Sequence, residues 1–157
     1  MCVFGVFFVP DMAAAVRSLW SLVRPGGRLA ITTWGPRFME PATTAFWDSI
    51  RAVRPDLYKG FNPWDRTCDP PALLALLQEG GVPAAEVIAE PGTHPIASPE
   101  AWWAAIAGSG YRGTLDQLDA AAREQVKRAN FDYVRRSGVR ALEANVVYAI
   151  ADKPDHG

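Results

Sequence analysis

Residues 10–35 read PDMAAAVRSLWSLVRPGGRLAITTWG, and this stretch decides the fold. Asp11 is placed to cap a helix, because its carboxylate can accept hydrogen bonds from the first unpaired amides. Met12, Ala15, Val16, Leu19, Trp20 and Val23 then recur at helical spacing, with Arg17, Ser18, Ser21 and Arg24 between them. Pro25-Gly26-Gly27 stops that helix, and Leu29 to Trp34 follows as an apolar, β-branched run of strand length. Upstream, Cys2 to Val9 is continuously apolar and ends at Pro10. Apolarity without alternation predicts a strand covered on both faces. Strand, helix and buried strand in this order form the right-handed crossover of a parallel sheet, so the fold class is α/β.

Composition narrows the classes of function. The chain has 157 residues with 49% hydrophobic content, which suits a single domain with a real core. Sixteen basic against seventeen acidic side chains leave a formal charge of −1. No basic stripe is visible, which argues against a nucleic-acid partner. Cys2 and Cys68 have no metal-ligand spacing and are too few for a disulfide scaffold, so no metal is expected. Met1 to Val9 lacks a positively charged start and a small-residue cleavage site, so it is not a signal peptide. No run approaches the ~18 apolar residues of a membrane span. A cytoplasmic protein without a membrane partner is expected.

Farther along, Phe46, Trp47, Ile50 and Val53 give 42–53 a weakly amphipathic helical pattern, and 54–68 reads as a loop. Asp69, with Pro70 at the first helical position, opens a helix that Gly80-Gly81 ends. Residues 85–90 form a short strand, and Ser98-Pro99 opens a helix carrying Trp102, Trp103 and Ile106. Thr114 and Gln117 fit a capping box before one long helix, 116–137, closed by Gly138. Leu142, Ala144, Val146, Tyr148 and Ile150 alternate with Glu143, Asn145 and Val147, which predicts a last strand that is antiparallel and less deeply covered.

The run CVFGVFFVPDMAAAVRSLWSLVRPGGRLAITTWG resembles the central segment of class I S-adenosylmethionine-dependent methyltransferases, in the broad group that includes the ubiquinone and menaquinone C-methyltransferases. There the fourth strand ends in a loop and a Pro-Asp pair, followed by an amphipathic helix, a Pro-Gly-Gly turn and the fifth strand. Val9-Pro10-Asp11, Pro25-Gly26-Gly27 and 30–34 match that order without a gap. DPPALLALLQEGGV, 69–82, looks like the helix before the sixth strand, and 142–153 looks like the seventh, antiparallel strand. The resemblance implies a single domain over 1–157. In it, 1–35 form the crossover, 36–137 a helical, acceptor-side region, and 138–152 the last strand. The sheet is then a partial Rossmann-like one: the end of strand four, then strands five, six and seven. By that numbering about 80 to 110 residues carrying the first three strands and their helices would precede Met1.

Methyl transfer is an in-line displacement for which the cofactor supplies the reactivity and the protein the positioning. The resemblance implies that Cys2, Val3, Phe4 and Gly5 lie beside the methionine part of S-adenosylmethionine; a buried strand end is the plainer role. It also implies a pocket for a small, apolar or aromatic acceptor, lined from Trp34, Phe61, Trp64, Trp102, Trp103 and Tyr111, which otherwise serve as core and lid packing. His94, in Thr93-His94-Pro95, is a weak candidate general base, or a loop residue making one hydrogen bond. The family's glycine-rich turn and ribose-binding carboxylate are not found here, and Gly26-Gly27 lies at the wrong end of the sheet to replace the turn. Two functions therefore stay open: a methyltransferase, or an inactive or non-enzymatic module that binds a partner. An apolar sheet edge beside 3–8 further predicts self-association or a partner chain.

Overall fold

The computed structural model describes residues 1–155. In chain order the elements are β1 (Cys2–Val3), α1 (Met12–Leu22), β2 (Arg28–Trp34), α2 (Ala42–Val53), α3 (Pro70–Glu79) and β3 (Glu86–Glu90). They continue with β4 (Thr93–Pro95), α4 (Pro99–Ala107), α5 (Arg112–Leu115), α6 (Ala120–Ser137), β5 (Ala141–Glu143) and β6 (Val146–Asp152). The chain forms two compact units: Met1–Pro36, Phe61–Gly92 and 144–155 make the first, Arg37–Gly60 and Thr93–Glu143 the second. Among the described residues no helix is long and apolar enough to cross a membrane.

The first unit is a four-stranded mixed sheet in the order β1-β2-β6-β3. β1 runs parallel to β2, and β6 runs antiparallel to both β2 and β3. The expected antiparallel last strand is thus present, inserted between two strands that precede it in sequence. The register places Leu29, Ile31 and Thr33 of β2 beside Ala151, Ala149 and Val147 of β6, and all six are buried. α3 packs on β6 and β3, and α1 packs on α3, so the helices lie over this face. The opposite face carries Val3, Ala30, Thr32, Trp34, Val146, Tyr148, Ile150 and Ile88, which are half-buried or exposed.

The capping chemistry follows the sequence. Asp11 Oδ1 accepts from the Ala14 amide at 2.8 Å, and Asp69 Oδ1 accepts from that of Ala72 at 2.8 Å. Lys153 Nζ donates to the Trp20 and Val23 carbonyls at 3.0 and 2.8 Å, so a cation sits where the α1 dipole is negative. Gly26 (φ 65°) makes the left-handed turn that lets its amide donate to the Lys153 carbonyl at 3.0 Å.

Gly80, buried at the end of α3, touches Val16 of α1 so closely that a Cβ would overlap the valine side chain. Gly80→Ala is therefore expected to cost about 1–3 kcal/mol by overpacking. A thermal melt checks this: an unchanged midpoint would mean that α1 moves aside freely.

The second unit packs α6 on α2 and α4, and α4 on α5, and also holds a pair of short antiparallel strands from either side of α4–α6 in the sequence. In it Thr93, His94 and Pro95 of β4 face Glu143, Leu142 and Ala141 of β5. Phe46, Ile50, Trp102, Ile106, Leu115, Val126 and Leu142 are its buried core. At the centre, Trp102 Nε1 donates to Asn130 Oδ1 at 3.0 Å, and Asn130 Nδ2 donates to Ser49 Oγ at 3.0 Å and to the Val126 carbonyl at 2.8 Å.

Three expectations are corrected. The apolar run 2–9 is a strand only at Cys2–Val3; Phe4 turns the backbone into the left-handed region (φ 50°) and Val6–Phe8 form a 3₁₀ turn. Val6 and Phe7 are buried by packing, Phe7 against Trp64, rather than by sheet neighbours. The helix expected over 116–137 is divided into α5 and α6. The cap of α6 is Asp119, which accepts from the Ala122 amide at 2.8 Å, while the Thr114 side chain is buried and Gln117 donates to the Gly113 carbonyl. The alternating segment 142–150 is interrupted at Ala144-Asn145, with β5 and β6 in different sheets. Moreover, the fully buried face of β6 is Val147, Ala149 and Ala151, the phase with the small side chains that lets α3 approach.

Candidate functional site

In an open α/β sheet, ligands bind outside the carboxyl ends of the parallel strands, where backbone groups and loop side chains converge without a strand to cover them. β1 and β2 are the parallel pair here, and their carboxyl ends bring Cys2–Gly5 next to Trp34. The Phe4 amide donates to the Thr32 carbonyl at 2.9 Å, which extends the ladder by one bond before the chain turns. The turn lays the Phe4 ring on Trp34, with centroids 4.0 Å apart and planes at 18°. A bulky residue with positive φ is costly, and such conformations persist where surrounding contacts hold them, commonly at functional sites. Gly5 follows, and a Cβ there would stand 3.4 Å from Cys2 Sγ.

A buried chain of hydroxyl hydrogen bonds adjoins this end of β2. Thr33 and Thr67 are fully buried and their hydroxyls meet at 2.8 Å; Thr67 in turn donates to the Trp64 carbonyl at 3.2 Å, so Thr33 is the donor to Thr67. This hydroxyl chain fixes the 3₁₀ turn Pro63–Thr67 to β2. Trp64 is buried and meets Phe7 edge-on at 5.8 Å, whereas Phe61, just before the turn, is exposed. At the end of β2, the Gly35 amide donates to the Asn145 carbonyl at 2.6 Å, and Asn145 Nδ2 donates to the Pro36 carbonyl at 3.0 Å. Asn145 Oδ1 accepts from the Gly92 amide at 3.0 Å. Asn145 and the two threonines were not singled out from sequence; their only signal is that they are polar positions within apolar strand or turn segments.

The remaining candidates belong to the second unit. Trp102 is a fully buried, hydrogen-bonded core side chain. Tyr111 is buried in a ring cluster with Phe46 and Trp47, at 5.3 and 5.6 Å. Trp103 is half-buried on α4, and His94 is exposed on β4. The first unit therefore joins Cys2, Val3, Phe4 and Gly5 with Trp34, and the second holds Trp102, Trp103, Tyr111 and His94 on elements of its own.

The shifted acids and bases lie elsewhere. Arg28 makes a bidentate pair with Asp152, at 2.7 and 2.9 Å, and holds that carboxyl below its ordinary range. Arg54 does the same to Asp56. Burial, helped by Asp69 and Asp65, pushes the Cys68 thiol up, so it is not an activated nucleophile.

The chain is α/β, with a mixed sheet whose last strand is inserted antiparallel and a helix between its two parallel strands, and its fold is similar to that of a solved methyltransferase structure. Among solved structures, a candidate methyltransferase from Bacillus halodurans C-125 aligns with 98% of this chain and 62% of its own, at a TM-score of 0.51 and 14% identity. Phosphoethanolamine N-methyltransferase 2 of Haemonchus contortus, solved with phosphomonomethylethanolamine and S-adenosylhomocysteine, aligns with 98% of this chain and 32% of its own, at a TM-score of 0.40 and 12% identity. The chain thus spans less than two thirds of the length of either. No family model matches the sequence, and no curated protein matches it significantly.

Proposed function

We propose that this chain carries the acceptor-side part of an S-adenosylmethionine-dependent methyltransferase acting on a small apolar or aromatic acceptor, in the group of the quinone C-methyltransferases. The observation that carries this is the strained Phe4, stacked on Trp34 where the two parallel strands end. The residues fit one end of the cofactor. Cys2, Val3 and Phe4 offer a half-open apolar edge, and Gly5 leaves the backbone approachable, which suits the methionine part. When bound, the cofactor supplies an electrophilic methyl carbon on a sulfonium. The protein's part is to exclude water and hold the acceptor in line, for which a fixed aromatic platform is suited.

A second function has its own support. No strand in the described residues is followed by a glycine-rich, ligand-approaching turn with a carboxylate beyond it, as a ribose site would require. That favours a non-enzymatic binding module for the chain 1–157. Both lead to an expected outcome: 1–157 binds S-adenosylmethionine more weakly than micromolar in isothermal titration. Micromolar binding would show that the missing turn is not needed. Ultraviolet cross-linking with millimolar labelled cofactor separates the two. Label in the tryptic peptide 1–17 supports methyl transfer; label elsewhere, or none, overturns it.

A further inference from the structure

We propose that Asn145 is a positioning residue for Trp34: its side chain ties the exit of β2 to the exit of β3 and so fixes where β2 ends. β2 and β3 both run antiparallel to β6, so they point the same way and leave the sheet at one end. β6 lies between them, and the register sets Trp34, Val146 and Glu90 level with one another across the three strands. The ends of β2 and β3 therefore share no ladder of their own. Asn145, the residue before β6, supplies the link. Its Nδ2 donates to the Pro36 carbonyl at 3.0 Å, and its Oδ1 accepts from the Gly92 amide at 3.0 Å.

The two partners call for an amide side chain. Pro36 offers a carbonyl and Gly92 an N–H, so the bridging group must donate to one while it accepts from the other. A carboxylate can only accept, and an aliphatic side chain of the same size can do neither. The main chain closes the same knot: the Gly35 amide donates to the Asn145 carbonyl at 2.6 Å, and the Ala144 amide to the Gly92 carbonyl at 2.8 Å. Glycine at 92 permits that approach, because a Cβ there would stand 2.8 Å from the Ala144 carbonyl oxygen. Gly35 is buried directly after Trp34, so a side chain that holds 35–36 also holds the backbone from which the Trp34 ring projects. This is the end of an open sheet at which ligands bind. The use of Trp34 as a platform for the acceptor rests on the proposed methyl transfer; the tie itself does not.

Fluorine NMR of 1–157 made with 5-fluorotryptophan tests this. The six tryptophans give six lines, and the Trp34 line is the one missing from Trp34→Phe. Asn145→Ala is expected to move that line by more than its width and further than any other. It should also speed hydrogen exchange at the Gly35 amide at least about tenfold, although the carbonyl this amide uses is still present. Asn145→Asp keeps the acceptor for Gly92 and loses the donor for Pro36. It should move the Trp34 line while the Gly92 amide stays protected, and it decides the matter if Asn145→Ala does not fold. Gly80→Ala, which strains the protein elsewhere, should leave the Trp34 line in place. A Trp34 line indifferent to both Asn145 variants, or one that moves as far in Gly80→Ala, overturns the proposal. No cofactor enters these measurements, so their failure is distinct from a failure of methyl transfer, which the cross-linking decides.

Discussion

Asn130→Ala is expected to lower the unfolding free energy by about 2–4 kcal/mol, read as a fall in the urea midpoint at unchanged slope. Asn130 is fully buried on α6 and makes three hydrogen bonds, two of which join α6 to α2 and α4 while the third stays within α6. Its removal leaves the buried Trp102 Nε1–H without its acceptor and opens a space the size of an amide. Ser49 suffers less, because its hydroxyl still donates to the Phe46 carbonyl at 2.6 Å. Asn130→Asp separates the contributions: its oxygen can still accept from Trp102, but it cannot donate to Ser49 or Val126, and it places a carboxylate in the core. It should be at least as destabilising as alanine near neutral pH and recover part of the loss in acid. Equal stability of wild type and Asn130→Ala would mean that water replaces the amide in this network.

Such residues mark where sequence ceases to be informative. The crossover was legible because each signal is local: Asp11 caps the amides of its own helix, and Pro25-Gly26-Gly27 turns the chain within three residues. The short helix at 70–79 was legible for the same reason, from Asp69 and Pro70. What failed was set by tertiary neighbours. Apolarity in 2–9 records burial, and burial by Trp64 looks no different in sequence from burial inside a sheet. The hydrophobic phase of β6 was misleading because Ala149 and Ala151, not the larger Tyr148 and Ile150, face α3. Of the candidate site, Cys2–Gly5 and Trp34 could be placed because a crossover has a defined carboxyl end. The aromatics at 102, 103 and 111 could not, since nothing local distinguishes a ring that lines a pocket from one that fills a core. The Phe4 turn was also hidden, since a positive φ is not foreseeable at phenylalanine.

Gly35→Ala is the second large effect expected, about 2–3 kcal/mol, and it bears on the site directly. Gly35 follows Trp34 and is buried. A Cβ on it would lie 2.8 Å from Asn145 Cβ and 2.9 Å from the Asn145 carbonyl carbon. Those atoms belong to backbone or are fixed to it, so no flexible side-chain tip can yield. Asn145 is held in turn by Pro36 and Gly92, and Gly92 accepts from the Ala144 amide at 2.8 Å. Relief therefore requires the end of β2 to move, taking Trp34 with it and opening the stack on Phe4. Two signals should change together: a lower urea midpoint, and an altered near-ultraviolet dichroism of the folded protein as the Trp34–Phe4 stack loosens. Gly110→Ala is the matched control, because a Cβ there meets nothing within 4 Å, and it should be near neutral. A Gly35→Ala protein as stable as that control, with an unchanged aromatic spectrum, would show that the carboxyl end of β2 is not clamped and cannot hold Trp34 as a fixed platform.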